Sequence, residues 1–178
     1  EILPDSKVRL RGREMGMYAS YSYLGLVGHP RINEAAKKAI DKFGTGTNGV
    51  RMLAGTLTIH KELEETIANF KHAEAAVTYS SGYATNLTVI SALMGRGDYI
   101  FSDKLNHASI VDGCLMSGAE FRRFRHNDME HLEGLLKNAP ADVSKLVIAD
   151  SVFSMDGDII DLPRIVEISK KYNAWLMI

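Results

Sequence analysis

Apolar positions along this chain recur with two periods, and the switch between them marks out its elements. Short apolar runs at 75–79, 99–102, 121–124, 146–150 and 175–178 have the length and residue types of strands. Helical spacing fills the gaps at 82–94, 108–117, 129–137 and 162–172. Strand and helix in turn at this spacing predict βαβ units, hence an α/β fold with a mostly parallel sheet covered by helices on both faces. Ahead of them, 30–43 places Ile32, Ala35, Ala36, Ala39, Ile40 and Phe43 on one face and Pro30 in the first turn, which predicts an amphipathic helix. A second helix is expected from about Thr58 through Phe70, with Leu63, Ile67 and Phe70 on one side. The final run, Ala174 to Ile178, has the composition of a buried strand. A domain rarely stops in mid-strand, so the chain is expected to be a piece of a longer protein.

Composition narrows the function classes. With 178 residues, 46% of them hydrophobic, the chain can bury one core. Its 21 basic and 22 acidic residues leave a net charge of −1, which gives no reason to expect nucleic acid or an anionic membrane surface as the main partner. No apolar stretch reaches the length of a membrane span. A single cysteine, Cys114, excludes an internal disulfide framework and a Cys-rich zinc site, which fits a reducing, cytoplasmic setting.

Candidate chemistry is concentrated in a few places. In Thr78-Tyr79-Ser80-Ser81-Gly82-Tyr83-Ala84-Thr85-Asn86 an apolar run hands small residues to the start of a helix, where unpaired amides at the positive end of the dipole suit a phosphate. His107, in Asn106-His107-Ala108-Ser109, is expected at the carboxyl end of a strand, where parallel sheets bind ligands and an imidazole can cover a ring; a capping role is equally open to it. The loop from Gly44 to Thr56 interleaves glycines with threonines and adds Arg51, so it can close on an anion, or can be an ordinary connection between helices. It matches neither the Gly-Lys-Ser/Thr phosphate loop nor a dinucleotide fingerprint. After the 146–150 strand, Asp150 and Ser154 lie in a polar, turn-rich segment whose hydroxyl can hold a phenolic oxygen or a carboxylate. His29, His60, His72, His126 and His131 lack zinc-ligand spacing, and no metal site is expected.

These residues, in this order, resemble the α-oxoamine synthase family, pyridoxal 5'-phosphate (PLP) enzymes of the aspartate-aminotransferase fold (fold type I). The resemblance runs through Tyr21-Ser22-Tyr23-Leu24-Gly25-Leu26, the glycine-rich loop, Leu57 to Glu64, Ser81 to Asn86, Asn106 to Ser109, Arg125-His126-Asn127-Asp128 and Val152 to Asp158. It implies an enzyme that condenses an amino acid with an acyl-CoA, usually with loss of CO2, as serine palmitoyltransferase, 8-amino-7-oxononanoate synthase and 2-amino-3-ketobutyrate CoA ligase do. It implies that Ser81, Gly82 and Tyr83 hold the cofactor phosphate, and that His107 is the catalytic residue that stacks on the ring and contacts the amino-acid carboxylate. Ser154 and Asp150 would complete the cofactor site, and Tyr21 would join His107 at the substrate. It further implies a homodimer in which the Gly44 to Thr56 loop approaches the partner's site. The expected domains are 1–45, an N-terminal segment with its helix, and 46–178, the first part of the PLP-binding major domain.

The family's pyridine-nitrogen carboxylate opens an Asp-x-x-His motif just after the strand that here reaches Ile178, and its Schiff-base lysine comes later still. None of Lys104, Lys145, Lys170 or Lys171 matches that lysine. Alone, the 178 residues are therefore expected to be inactive, and their parent active. Tyr21 and Gly46 to Leu53 lean towards bacterial serine palmitoyltransferases, while Ser22 and Phe153 to Asp158 lean towards the oxononanoate synthase and ketobutyrate ligase members. Two other readings remain: an aminotransferase or lyase on the same fold, and a non-catalytic form that binds a cofactor or partner.

Overall fold

Four parallel strands in the order β5-β4-β6-β7 organise the second half of the chain: β4 (Tyr99–Asp103), β5 (Glu120–Phe124), β6 (Lys145–Ile148) and β7 (Trp175–Met177). The computed structural model describes residues 2–3 and 7–178. Its chain divides into two compact units, 1–76 and 77–178.

In the second unit α3 (Gly82–Leu93), α4 (Ala108–Ser117), α5 (Met129–Lys137) and α6 (Leu162–Lys171) alternate with the strands. The period-2 alternation of β4 and β6 sends side chains to opposite faces. Ile100, Leu146 and Ile148 pack with Ile90 and Met94 of the α3 segment and with Ile110 and Cys114 of α4. Phe101 and Val147 pack with Leu132 and Leu136 of α5 and Ile165 and Ile168 of α6. The two central strands, β4 and β6, are thus buried on both sides, as their near-continuous apolar runs require.

From β4 the chain moves by way of α4 to β5 on one side, and from β6 by way of α6 to β7 on the other. The two connecting helices cover opposite faces, so the strand order reverses between β4 and β6. The carboxyl ends of those two strands therefore form the crevice where open α/β sheets take their ligands.

The first unit holds an antiparallel meander, β1 (Ile2–Leu3), β2 (Lys7–Leu10) and β3 (Arg13–Gly16), then α1 (Pro30–Phe43) and α2 (Thr58–Lys71). The meander has no counterpart in the sequence reading, although Lys7-Val8-Arg9-Leu10-Arg11 alternates polar and apolar residues as a strand does. Arg11 and Gly12, both at positive φ, make its turn.

One expectation needs correction. Residues 75–79 form no strand; their β-prone residues have no ladder partner among the described residues, and a strand exists only with one. The apolar stripes of α1 and α2 are present but uncovered: Ile32 is 46%, Ile40 52% and Phe70 80% exposed. The run at 174–178 forms β7 as expected, and among the described residues it pairs with β6 alone, leaving Trp175 55% exposed.

Candidate functional site

The crevice is built from two helix starts and two strand ends. Ser81 is the N-cap of α3: its hydroxyl accepts from the Ala84 amide at 3.1 Å and its carbonyl accepts from the Thr85 hydroxyl. This leaves the Gly82 and Tyr83 amides, in the first turn, directed away from the helix body at its positive end. His107 is the N-cap of α4, directly after the β4 turn, and its Nδ1 accepts from the Ser109 amide at 3.2 Å.

The two helix starts are bound together. The Tyr83 hydroxyl donates to Asp112, and that bond to a carboxylate holds the phenol above its ordinary pKa. Asn86 Nδ2 donates to Ser109 Oγ at 2.9 Å, and Ser109 Oγ lies 2.7 Å from His107 Nδ1. With its oxygen taken as acceptor by Asn86, the Ser109 hydroxyl directs its hydrogen to Nδ1. The imidazole then carries its own proton on Nε2, and the ring is aimed by a relay of two side chains. Gly113 allows this proximity: a Cβ there would sit 3.0 Å from the Asn86 carbonyl oxygen and from Ile90 Cδ1.

Across the switch point, the His107 amide donates to Asp150 Oδ2 at 2.8 Å. Buried Asn106 locks the two strand ends: its Nδ2 donates to Ile148 O at 2.9 Å and Ser102 Oγ at 2.8 Å, and its Oδ1 accepts from the Asp150 amide at 2.9 Å. The anticipated residues Ser81, Gly82, Tyr83, His107 and Asp150 therefore belong to one hydrogen-bonded assembly. Ser154 lies beyond β6 on the exposed turn that Gly157 closes by donating to the Phe153 carbonyl, and no hydrogen bond ties its hydroxyl to that assembly among the described residues. Tyr21 lies in the first unit, 90% exposed.

The glycine-rich loop differs from its reading as an anion cradle. Arg51 makes a two-pronged ion pair with Glu64 of α2, at 2.5 and 3.1 Å, while Thr47 and Thr56 donate to carbonyls of the loop itself. Its donors brace the loop, because the carboxylate of Glu64, the seventh residue of α2, matches the guanidinium fork.

A model of the class I and II aminotransferases matches residues 17–178. The chain belongs to that family. Within it, the curated relatives include 8-amino-7-oxononanoate synthases from Geobacter sulfurreducens (49% identical over 173 residues, 97% of this chain and 44% of the relative) and Chromobacterium violaceum (46% identical, 97% and 45%). Among solved structures, the serine palmitoyltransferase from S. paucimobilis with bound PLP-myriocin aldimine superposes with a TM-score of 0.96 at 40% identity, covering 99% of this chain and 46% of that one. An 8-amino-7-oxononanoate synthase from Francisella tularensis gives 0.69 at 29% identity, covering 85% and 41%. These likenesses make the fold PLP-dependent fold type I, and the named relatives are α-oxoamine synthases. The chain spans less than half the length of these relatives.

Two of the lysines left without a catalytic assignment have structural places. Buried Lys145 donates to the Ala141 and Val143 carbonyls at the amino end of β6, the opposite end from His107, and Lys171 pairs with Glu133. The histidines read as bland also find work: His29 and His60 accept from amides at the starts of α1 and α2, and His131 accepts from the Arg125 amide. Sequence reasoning passed over the structural weight of Asn106 and Ser109. A polar residue on each side of an expected strand-end histidine was the available signal. Among the described residues no group of His, Cys, Asp and Glu could hold a metal ion, and no helix is long and apolar enough to cross a membrane.

Proposed function

We propose that this chain is the phosphate- and ring-binding part of a PLP-dependent α-oxoamine synthase, which condenses an amino acid with an acyl-CoA. The observation that carries the reading is the tie across the switch point, from the start of α3 through Asn86, Ser109 and His107 to Asp150. The residues fit the cofactor. The first-turn amides of α3 and the Ser81 hydroxyl, which only accepts within the helix start, offer donors to a phosphate dianion, Tyr83 contributing through its amide while its hydroxyl holds Asp112, and the relay presents the His107 ring with an Nε2 proton to donate. The cofactor, when bound, supplies an electron sink for the carbanion. Asp150 would hold the His107 backbone in place, and Ser154 would offer its hydroxyl to the cofactor's phenolic oxygen. His107 and Tyr21 would orient the amino-acid substrate.

The same reading divides the chain into 1–45, an N-terminal segment, and 46–178, the first part of the major domain. The parent protein would supply the lysine and the pyridine-nitrogen carboxylate, and the 178 residues alone would be inactive. A homodimer is supported by the glycine-rich loop, where Met52 and Leu53 stand almost wholly exposed. A cytoplasmic location is supported by the buried, unpaired Cys114 thiol.

The test is release of CoA by the full-length protein, loaded with PLP and offered a panel of amino acids and acyl-CoAs. His107→Ala is expected to abolish most turnover while the cofactor's visible absorption persists. Amino-group transfer to a keto acid without CoA release would replace the reading with an aminotransferase. Cofactor binding with neither reaction would replace it with a binding role.

A further inference from the structure

We infer that His126 is a doubly charged-tethered imidazolium whose task is to position the loop 151–160, the segment that carries Ser154. The inference rests on the proposed function only for the importance of Ser154; the clamp itself stands on geometry. His126 Nδ1 lies 3.0 Å from Asp103 Oδ1, and Nε2 lies 3.1 Å from Asp158 Oδ2. Ionised carboxylates only accept, so a ring that bonds both must donate from both nitrogens, and only the imidazolium has two N–H groups.

The two acceptors differ in setting. Asp103, at the end of β4, has no exposed surface and also accepts from the Leu105 and Asn127 amides at 2.8 Å each. The Asp158 side chain is 55% exposed and belongs to the loop that bridges Val152 to Ile159. His126 therefore links a fixed strand end to a surface loop. Its neighbour Asn127 makes the parallel link, donating to Ile159 O at 3.1 Å and accepting from the Asp161 amide at 3.0 Å. Phe153 closes the remaining side, edge-on to the imidazole at 4.4 Å between centroids.

The charged groups around the ring are few. Asp103 faces it from β4 and Asp158 from the loop. On its own turn Arg125 and Asp128 are paired with each other, and His131 of α5 accepts from the Arg125 amide. Burial alone would lower the His126 pKa, but the hydrogen bonds and charges of Asp103 and Asp158 outweigh it and raise the value above the ordinary 6.5. A raised folded-state value means that the clamp's contribution is complete below about pH 6.5 and fades as pH climbs through the folded value. The proton lost first is the one on Nε2. Asp103 is sealed from water, so losing the His126 donor would leave a buried carboxylate with only the Leu105 and Asn127 amides, whereas Asp158 can turn to solvent. Deprotonation thus releases the loop and leaves the strand end intact.

The experiment uses the full-length protein with 15N-labelled histidine, alongside amide hydrogen exchange. Two protonated ring nitrogens at pH 6 and a titration midpoint above 6.5 are expected for His126. Exchange at the Phe153, Gly157 and Ile160 amides should rise on the order of tenfold, relative to β4 amides, as pH crosses that midpoint. In Asp158→Asn the midpoint should fall, and the loop should already exchange fast at low pH. His126→Gln should abolish the pH step. A single ring proton at pH 6, or loop exchange identical in wild type and Asp158→Asn at every pH, would overturn the inference. None of these readouts requires bound cofactor, so a protein that showed the clamp but no PLP-dependent turnover would sink the proposed function alone.

Discussion

Gly113→Ala tests whether the two helix starts at the crevice are held at a distance that only glycine permits. In an open helix the change would stabilise by about 1 kcal/mol, since alanine is the better helix former. Here the new Cβ would lie 3.0 Å from the Asn86 carbonyl oxygen, 3.0 Å from Ile90 Cδ1 and 3.2 Å from Ile90 Cβ, with Ile90 fully buried. The neighbours must retreat by a few tenths of an ångström, and one of them is backbone. Overpacking of this kind costs about 1–3 kcal/mol, with the upper half of that range expected where backbone must move. The net expectation is a loss of about 1–2 kcal/mol. Gly134→Ala in α5 is the internal control: its Cβ meets nothing within 4 Å, so the propensity gain of about 1 kcal/mol should appear undiminished. Urea unfolding of the two variants beside the wild type measures both. Gly113→Ala should also weaken the Asn86 to Ser109 bond and with it the aim of His107, visible as a change in the His107 ring nitrogen shifts. A Gly113→Ala protein as stable as wild type or more so would refute the close approach of α3 and α4.

Asn106→Ala removes one cross-strand donor and one acceptor and leaves the Ile148 carbonyl and the Asp150 amide without their partner, so a loss of about 2–4 kcal/mol is expected in chemical denaturation. Cys114, fully buried with its thiol pushed up to about 12, should be silent towards a thiol reagent in native protein and react completely after unfolding. Asp128 is held below its ordinary range first by the His131 amide and then by Arg125, and Glu133 first by its bond to Lys171. Their contributions are therefore complete above roughly pH 4.5 and are lost as pH falls through the depressed values, which a thermal-melt series from pH 6 to 3 will show. Gly55→Ala would drive a methyl into the Gly49 carbonyl, so the loop's Gly55 to Val50 hydrogen bond should open and proteolysis between residues 46 and 56 should accelerate.

What the sequence revealed follows from which forces are local. Helix limits were legible because their signals lie within one turn: Pro30 at the start of α1, the small residues from Ser81, and the glycines that follow α1 and α4 at positive φ. The α/β class was legible from the alternation of periods. Pairing was not, since residues 75–79 and 146–150 have equal claims to be strands and only a neighbouring strand decides. Burial on α1 and α2 was not legible for the same reason: a stripe shows that a helix has an apolar face but not whether anything covers it. The choice between the two readings of the Arg51 loop was not legible, because its partner, Glu64, lies thirteen residues on, in the next helix. His107 was legible as a strand-end residue. The relay that aims it was not, because Asn86 lies 23 positions from Ser109 and the two meet only when α3 and α4 pack.

The division of labour at the crevice follows from the same topology. Where strand order reverses, two loops part to opposite faces, and nothing in the ladder holds them at the gap. Each strand end must then be secured by side chains. β4 provides two anchors: Asp103 turns towards β5 and gathers the Leu105 and Asn127 amides with His126, while Asn106 turns towards β6 and gathers Ile148 and Asp150. One anchor is charged and reaches a loop through a titratable ring. The other is neutral, buried and indifferent to pH. The Asn106 side thus fixes His107 and Asp150 under all conditions, whereas the Asp103 side holds its loop only while His126 keeps two protons. If that asymmetry is real, raising the pH should loosen residues 151–160 while the bond between the His107 amide and Asp150 persists. Protection of the His107 amide lost in step with the Phe153 amide would show instead that the two anchors are one cooperative unit.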